Sequence, residues 1–151
     1  APQEFDILLR KMHVLNVFDQ LLTAVKNTEA TTREATVSPR SLIVEAKQNK
    51  KGKGITIMDL SSIESAPAHE FIICEGRTPQ QVAAIADNVR EELLEKAHIK
   101  PYNYDGYRNA SWIVIDYGST LVHVFVPEQR NLYNLEELWS DSLIAEIPDL
   151  D

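Results

Sequence analysis

The sequence predicts an α/β domain in which helices pack against a β-sheet, preceded by a helical extension. Three observations carry this expectation. Short runs rich in β-branched residues, 55–60 and 71–74, lie between helical patterns. The segment from Thr78 onward reads as a capped amphipathic helix. Residues 112–117 and 120–126 read as two strands joined at Gly118-Ser119.

Residues 1–27 carry Leu8, Met12, Leu15, Phe18, Leu22 and Val25 at spacings of three and four, which places them on one helical stripe. Asn27, Thr28, Thr31, Thr32 and Thr36 then interrupt the pattern, so residues 1–35 read as an extension and linker, 36–142 as the domain and 143–151 as an acidic tail. The stripe must pack on something, either its own domain or a second copy of the chain. A second helix is expected from Ser38, a good N-cap, with Pro39 at its first position and Leu42, Ile43 and Ala46 on its apolar side. Lys47, Lys50, Lys51 and Lys53, with Gly52 and Gly54, suit its C-terminal exit. The plain reading of these lysines is a solvated turn; the alternative is a minor contact with RNA phosphates.

Thr78-Pro79-Gln80-Gln81 opens the next helix, whose apolar face is Val82, Ile85, Ala86, Val89 and Leu93. A two-residue loop beginning with glycine suits a type II′ turn, which sets Trp112 opposite Phe125, Val114 opposite His123 and Asp116 opposite Leu121. Residues 131–139 read as a last helix with Leu132, Leu135 and Leu138 on one side. The tail from Ser140 to Asp151 holds no basic residue and is expected to lie loosely on the surface.

Length and composition agree with a folded domain: 151 residues, 44% hydrophobic and 25% charged. The net charge of −8 disfavours a general nucleic-acid binder and suits a basic protein partner. The single cysteine, Cys74, rules out an internal disulfide and points to a reducing, cytoplasmic setting. No apolar run approaches the roughly 20 residues that span a bilayer, and Asp6, Arg10, Lys11 and His13 break the N-terminal apolar stretch, unlike a signal peptide.

The hairpin register assigns Ile113, Ile115, Tyr117, Thr120, Val122, Val124 and Val126 to an almost purely aliphatic core face. The other face mixes Trp112, Val114, Asp116, Leu121, His123 and Phe125. Such a mixture suits a partly exposed binding surface, since aromatic residues dominate hot spots. The plainer alternative is a covered face, with His123 a satisfied core histidine paired diagonally with Asp116.

No catalytic set stands out. There is no Gly-x-Ser-x-Gly elbow, no phosphate-binding glycine loop, and Cys74 sits within an apolar strand. His13, His69, His98 and His123 are scattered without metal-ligand spacing, so neither a metal nor a cofactor is expected.

Several segments in unbroken order resemble the ribosomal silencing factor family, also called Iojap. They are His69-Glu-Phe-Ile-Ile-Cys-Glu-Gly76, Val82-Ala-Ala-Ile-Ala-Asp87, Trp112-Ile-Val-Ile-Asp-Tyr-Gly118, Leu121-Val-His-Val-Phe125 and the stretch from Arg130 through Tyr133 to Trp139. The resemblance implies a mixed β-sheet flanked by helices, nucleotidyltransferase-like but without the catalytic carboxylates. It also implies a homodimer in the free state and a translational repressor, not an enzyme. Such a protein binds the large ribosomal subunit through universal large-subunit ribosomal protein fourteen and sterically blocks the small subunit. On these motifs it implies contact or contact-supporting roles for Trp112, Asp116, Tyr117, His123, Phe125, Arg130, Tyr133 and Trp139. Two alternatives stand beside it: a large-subunit assembly factor using the same surface, and a nucleotidyltransferase-like enzyme. The latter requires carboxylates gathered around magnesium, yet no Asp-x-Asp pair follows Gly118-Ser119.

Overall fold

Two helices and a six-stranded sheet form the frame on which everything else sits. The computed structural model describes residues 38–149; the stripe expected over residues 1–27 lies outside these. Helix α1 (Pro39–Asn49) begins with Pro39 at its first position, though Ser38 caps through its carbonyl, which accepts from Leu42 N at 3.1 Å, and not through its hydroxyl. Strands β1 (Lys53–Asp59) and β2 (Glu70–Glu75) pair antiparallel.

Helix α2 (Pro79–Ala97) opens with the expected box: Gln81 N–H donates to Thr78 Oγ1 at 3.1 Å, and Gln81 Oε1 accepts from Arg77 N–H at 2.7 Å. The first bond satisfies a backbone donor that the first helical turn leaves orphaned, and the second ties down the residue just before the N-cap. Thr78→Ala is expected to lower the unfolding free energy by about 1 kcal/mol, read as a shifted urea midpoint with an unchanged slope; an unshifted midpoint would deny the cap its role.

Strands β3 (Asn103–Asp105), β4 (Trp112–Asp116) and β5 (Thr120–Phe125) complete one end of the sheet. The order is β3-β4-β5-β2-β1-β6, with β2 parallel to β5 and every other pair antiparallel, so the sheet is mixed as expected. The predicted hairpin register holds residue for residue. Tyr117 N–H closes the turn on Thr120 O at 2.9 Å, and Gly118 supplies the positive φ of 86° at the first loop position.

Two expectations fail at the C-terminal end. The helix expected over 131–139 is two pieces, α3 (Pro127–Tyr133) and α4 (Leu135–Leu138), separated by Asn134 at φ 41°. A left-handed residue redirects the chain, so the three leucines do not share a side: Leu135 is buried while Leu132 and Leu138 are exposed. The tail is not loose. Strand β6 (Leu143–Glu146) pairs along β1, Ile147 N–H donates to Ile55 O at 2.8 Å, and Asp149 Oδ1 accepts from Gly54 N–H at 2.8 Å. Unspent backbone groups on β1 draw it in. Its side chains are all exposed, so no alternation betrays the strand in sequence.

The sheet separates two cores. On the helical side, Leu42, Ile43, Val82, Ile85, Val89 and Leu93 pack on Ile113, Ile115, Val122 and Val124. On the other, Met58, Leu60, Phe71, Ile73, Trp112, Leu121, Phe125 and Leu135 form a second cluster.

Of the lysines at the end of α1, Lys50 and Lys51 are exposed as a solvated turn requires, but Lys47 is not. Lys47 is fully buried, and its Nζ donates to Ile72 O at 2.6 Å and His123 O at 3.3 Å. It takes no part in a solvated patch or an RNA contact. Burial pushes its pKa down to about 8, because water no longer stabilises the ammonium.

Candidate functional site

On the face away from α1 and α2, an aromatic stack runs from β2 through the hairpin to α3 and α4. The hairpin register places Trp112 over Phe125, with ring centroids 4.8 Å apart. Trp112 also meets Tyr133 at 4.9 Å. Phe71 of β2 touches His123 edge-on at 4.6 Å and Trp139 at 6.4 Å. Trp112 Nε1–H donates to His123 Nδ1 at 3.0 Å. That nitrogen must therefore be unprotonated, which fixes the neutral imidazole tautomer with its proton on Nε2.

The partial exposure expected of this face does not hold for the hairpin. Trp112 is 2% exposed, Phe125 1%, and His123 and Asp116 0%. The cover comes from α3, α4 and the 60–68 loop, through Leu60, Ala68, Leu135, Tyr133 and Trp139. Sequence periodicity reports which side chains share a face but not what later segments lay over it. His123 takes its bond from Trp112, while Asp116 Oδ1 accepts from Gly118 N–H at 2.8 Å and so braces the hairpin turn. Tyr117 lies on the opposite face, in the helix-side core, where burial raises its pKa.

Arg130 is a brace. One guanidinium nitrogen reaches Gly54 O at 2.7 Å and Glu75 Oε1 at 3.0 Å; the other reaches Thr56 Oγ1 at 3.0 Å and Glu136 Oε1 at 2.8 Å. This half-buried fork ties α3 and α4 to β1 and β2, using the planar donor geometry that suits arginine.

What the surface presents is aliphatic. Leu132 is 66% exposed, Leu138 56% and Ile144 45%, beside half-buried Tyr133 and Trp139. Ile144 pairs with Met58 and Met58 with Phe71, which meets Trp139, so Ile144 lies on the same face of the sheet as the stack. The sequence reading named Tyr133 and Trp139 but missed Leu132, Leu138 and Ile144. Leucines at helical spacing read as core; only the break at Asn134 turns two of them outward. Large apolar side chains gathered at a surface mark a place where another molecule is met.

Chemistry in the site is sparse. Cys74 is buried, and burial raises its pKa away from the reactive thiolate. Among the described residues no group of three or more His, Cys, Asp or Glu is placed to hold a metal ion. Beside the hairpin turn, Glu70 is already bound to Arg40 Nε at 2.7 Å and to Thr120 Oγ1 at 2.8 Å, and Asp59 Oδ1 accepts from Ser61 Oγ at 2.6 Å. No helix among the described residues is long and apolar enough to cross a membrane.

Comparison with known proteins places these features in a family. The profile described as "Ribosomal silencing factor during starvation" matches residues 33–151. The protein named ribosomal silencing factor RsfS in Halalkalibacterium halodurans is 37% identical over 106 residues, which is 70% of this chain and 89% of that protein. Its namesake in Bacillus subtilis is 35% identical over 102 residues, 68% of this chain and 85% of that one. A crystal structure of a Chromobacterium violaceum protein superposes with a TM-score of 0.64 at 32% identity, covering 68% of this chain and 83% of its own.

Proposed function

The chain belongs to the ribosomal silencing factor family, and from that premise we propose that it represses translation by occupying the large ribosomal subunit and blocking the small one. The docking partner in this reading is universal large-subunit ribosomal protein fourteen, and the protein acts in the cytoplasm as a binder without a catalytic step. The single observation that supports it best is the exposure of Leu132, Leu138 and Ile144 on the face of the aromatic stack, the two leucines being chain neighbours of Tyr133 and Trp139, which meet that stack. An apolar centre with aromatic anchors is what binding hot spots require. The net charge of −8 favours encounter with a basic ribosomal protein.

Within this reading the residues divide by their surroundings. Leu132, Tyr133, Leu138, Trp139 and Ile144 touch the partner. Trp112, His123 and Phe125 hold those contacts in position from beneath, Asp116 and Tyr117 set the hairpin, and Arg130 locks α3 and α4 to the sheet. In the free state the protein is a homodimer, which sedimentation equilibrium of the full chain would reveal as twice the monomer mass.

The deciding experiment sediments purified subunits with the protein and then measures subunit joining. Added protein is expected to travel with large subunits and to lower the yield of joined ribosomes; full joining at saturating protein would overturn the proposal. Tyr133→Ala and Leu138→Ala are each expected to weaken large-subunit binding by more than about 1 kcal/mol, roughly fivefold or greater. Leu138, more than half exposed, should do so with its thermal midpoint almost unmoved. Unchanged affinity in a folded variant would remove that residue from the contact.

A further inference from the structure

Strands at the two ends of a sheet keep backbone groups that no neighbouring strand takes up. Here the ends are β3 and β6, and they are finished differently. Strand β3 is three residues long, and the N–H of its central Tyr104 donates to Asn103 Oδ1 at 2.8 Å. Strand β6 has no such guard. Residues of an antiparallel strand bond alternately to one side and the other. Ile147 N–H donates to Ile55 O, and Ala145 and Leu143 precede it at steps of two in an unshifted register, so the backbone groups of these three face β1. Those of Ile144 and Glu146 face away from the sheet, and among the described residues no strand pairs with them. No lysine, proline or bulge interrupts the four residues, and Leu143 is 73% exposed beside them.

We propose that this edge pairs with the same edge of a second copy, antiparallel about a two-fold axis at Ala145, so that one sheet runs through both protomers. The inference rests on the homodimer reading above and names its interface. Two-fold symmetry sets each residue opposite its counterpart across the axis. With the axis at Ala145, Ile144 lies opposite Glu146 of the partner subunit, and Leu143 opposite Ile147 of the partner subunit. Every outward group of Ile144 and Glu146 is then used: each pair exchanges two N–H to C=O bonds, and symmetry doubles them. An axis at Ile144 would instead set Glu146 opposite Ser142, whose N–H already donates to Trp139 O at 3.0 Å. An axis between two residues would make a bonded pair equivalent to a non-bonded one, which the alternation forbids. The side chains agree with the backbone. Ala145, the smallest in the strand, stands at the non-bonded position, where facing side chains come closest. It pairs with Ile57 of the helix-side core, so Leu143 and Ile147 flank it on that face and form an apolar seam with their symmetry mates. Glu146 stands opposite an isoleucine, so no like charges face each other although each chain carries −8. Pro148, with no N–H to leave unpaired, follows where the ladder ends.

The test uses the full chain. Ala145→Cys, Ile144→Cys and Glu146→Cys are oxidised one at a time; buried Cys74 does not compete. Across the axis the two copies of residue 145 stand about 4.5 Å apart between Cα atoms, within reach of a disulfide, whereas the two copies of 144 or of 146 are diagonal neighbours at about 7–8 Å. Ala145→Cys is therefore expected to link two chains about tenfold faster than either of the others. Equal rates, or a faster Ile144→Cys, would overturn the proposal. Sedimentation equilibrium gives the second readout. Glu146→Pro deletes an outward N–H and leaves the bonds to β1 intact, and Leu143→Lys puts a charge on the exposed seam, so neither threatens the fold. Each is expected to raise the dimer dissociation constant by about tenfold or more. A dimer that both variants leave unchanged would overturn this interface while the homodimer reading stands. A native chain that stays monomeric at every concentration would overturn both, and slow amide exchange at Ile144 and Glu146 in that monomer would assign the edge to another segment of the same chain.

Discussion

Trp112→Ala lowers the unfolding free energy by about 3–5 kcal/mol, the cost of emptying an aromatic site in a closed core. The side chain is 2% exposed and stacks on both Phe125 and Tyr133, so its loss opens a cavity bounded by the hairpin and α3. It also removes the Nε1–H that His123 Nδ1 accepts at 3.0 Å. Against a typical domain stability of about 5–15 kcal/mol, this is a large share. Trp112→Phe separates the two effects: it keeps most of the ring and strands the imidazole nitrogen, at about 1–3 kcal/mol. Urea titration of both variants checks the ranking, and a Trp112→Ala loss below about 1 kcal/mol would mean that the stack is not closed. Where the variant remains folded, large-subunit affinity should also fall, because Tyr133 then lacks the surface that orients it. A folded Trp112→Ala protein with full affinity would free the rim from any dependence on the stack.

Lys47→Met raises stability at pH 7 by about 1–2 kcal/mol and removes a pH dependence that the native protein should show. The ammonium is sealed between α1 and the sheet, and burial pulls its pKa from the ordinary 10.5 to about 8. The gap corresponds to about 3 kcal/mol opposing the folded state while the lysine is charged in both states, that is, below pH 8. The bonds to Ile72 O and His123 O, lost in the methionine variant, offset part of the gain. The sign follows from proton counting. Between about pH 8 and 10.5 the unfolded chain holds the proton that the folded chain has released, so native stability rises with pH across that window. Tyrosines act in the opposite direction. Tyr107 is pushed up to about 12 by burial, so above pH 10 the folded chain retains a proton that the unfolded chain loses, and stability falls again. Cys74, whose pKa burial also raises from 9.0, opposes the rise above about pH 9, so native protein should be most stable near pH 9. Chemical denaturation at pH 7, 8 and 9 reads the rise, and Lys47→Met should be nearly flat over the same points. A native protein with no rise above pH 8 would show that the lysine reaches water.

Much of the fold was legible because local rules and long-range packing agree. The Thr78–Gln81 box, the α2 stripe and the two-residue turn at Gly118 are decided within a few residues of chain, and each appears where local chemistry puts it. Strand β3 passed unnoticed because three residues carry too little pattern to separate from a loop. Strand β6 is hard to read because four residues exposed on both sides, set among Asp141, Glu146 and Asp149, have the pattern of a solvated tail; pairing with β1 supplies what side chains do not. Lys47 misled for a related reason. A lysine among lysines at a helix end reads as solvated, but its position on the inner side of α1 carries it beneath the sheet.

Within the site, the sequence determined which residues share a face, because strand alternation and hairpin register are properties of a few consecutive residues. It also determined the family, through motifs spread in order along the chain. Only the tertiary structure decided which of those residues meet solvent. The break at Asn134 folds α3 and α4 across the hairpin, burying Trp112, His123 and Phe125 and turning Leu132 and Leu138 outward. Exposure depends on what segments distant in sequence lay over a face, and no local period encodes that.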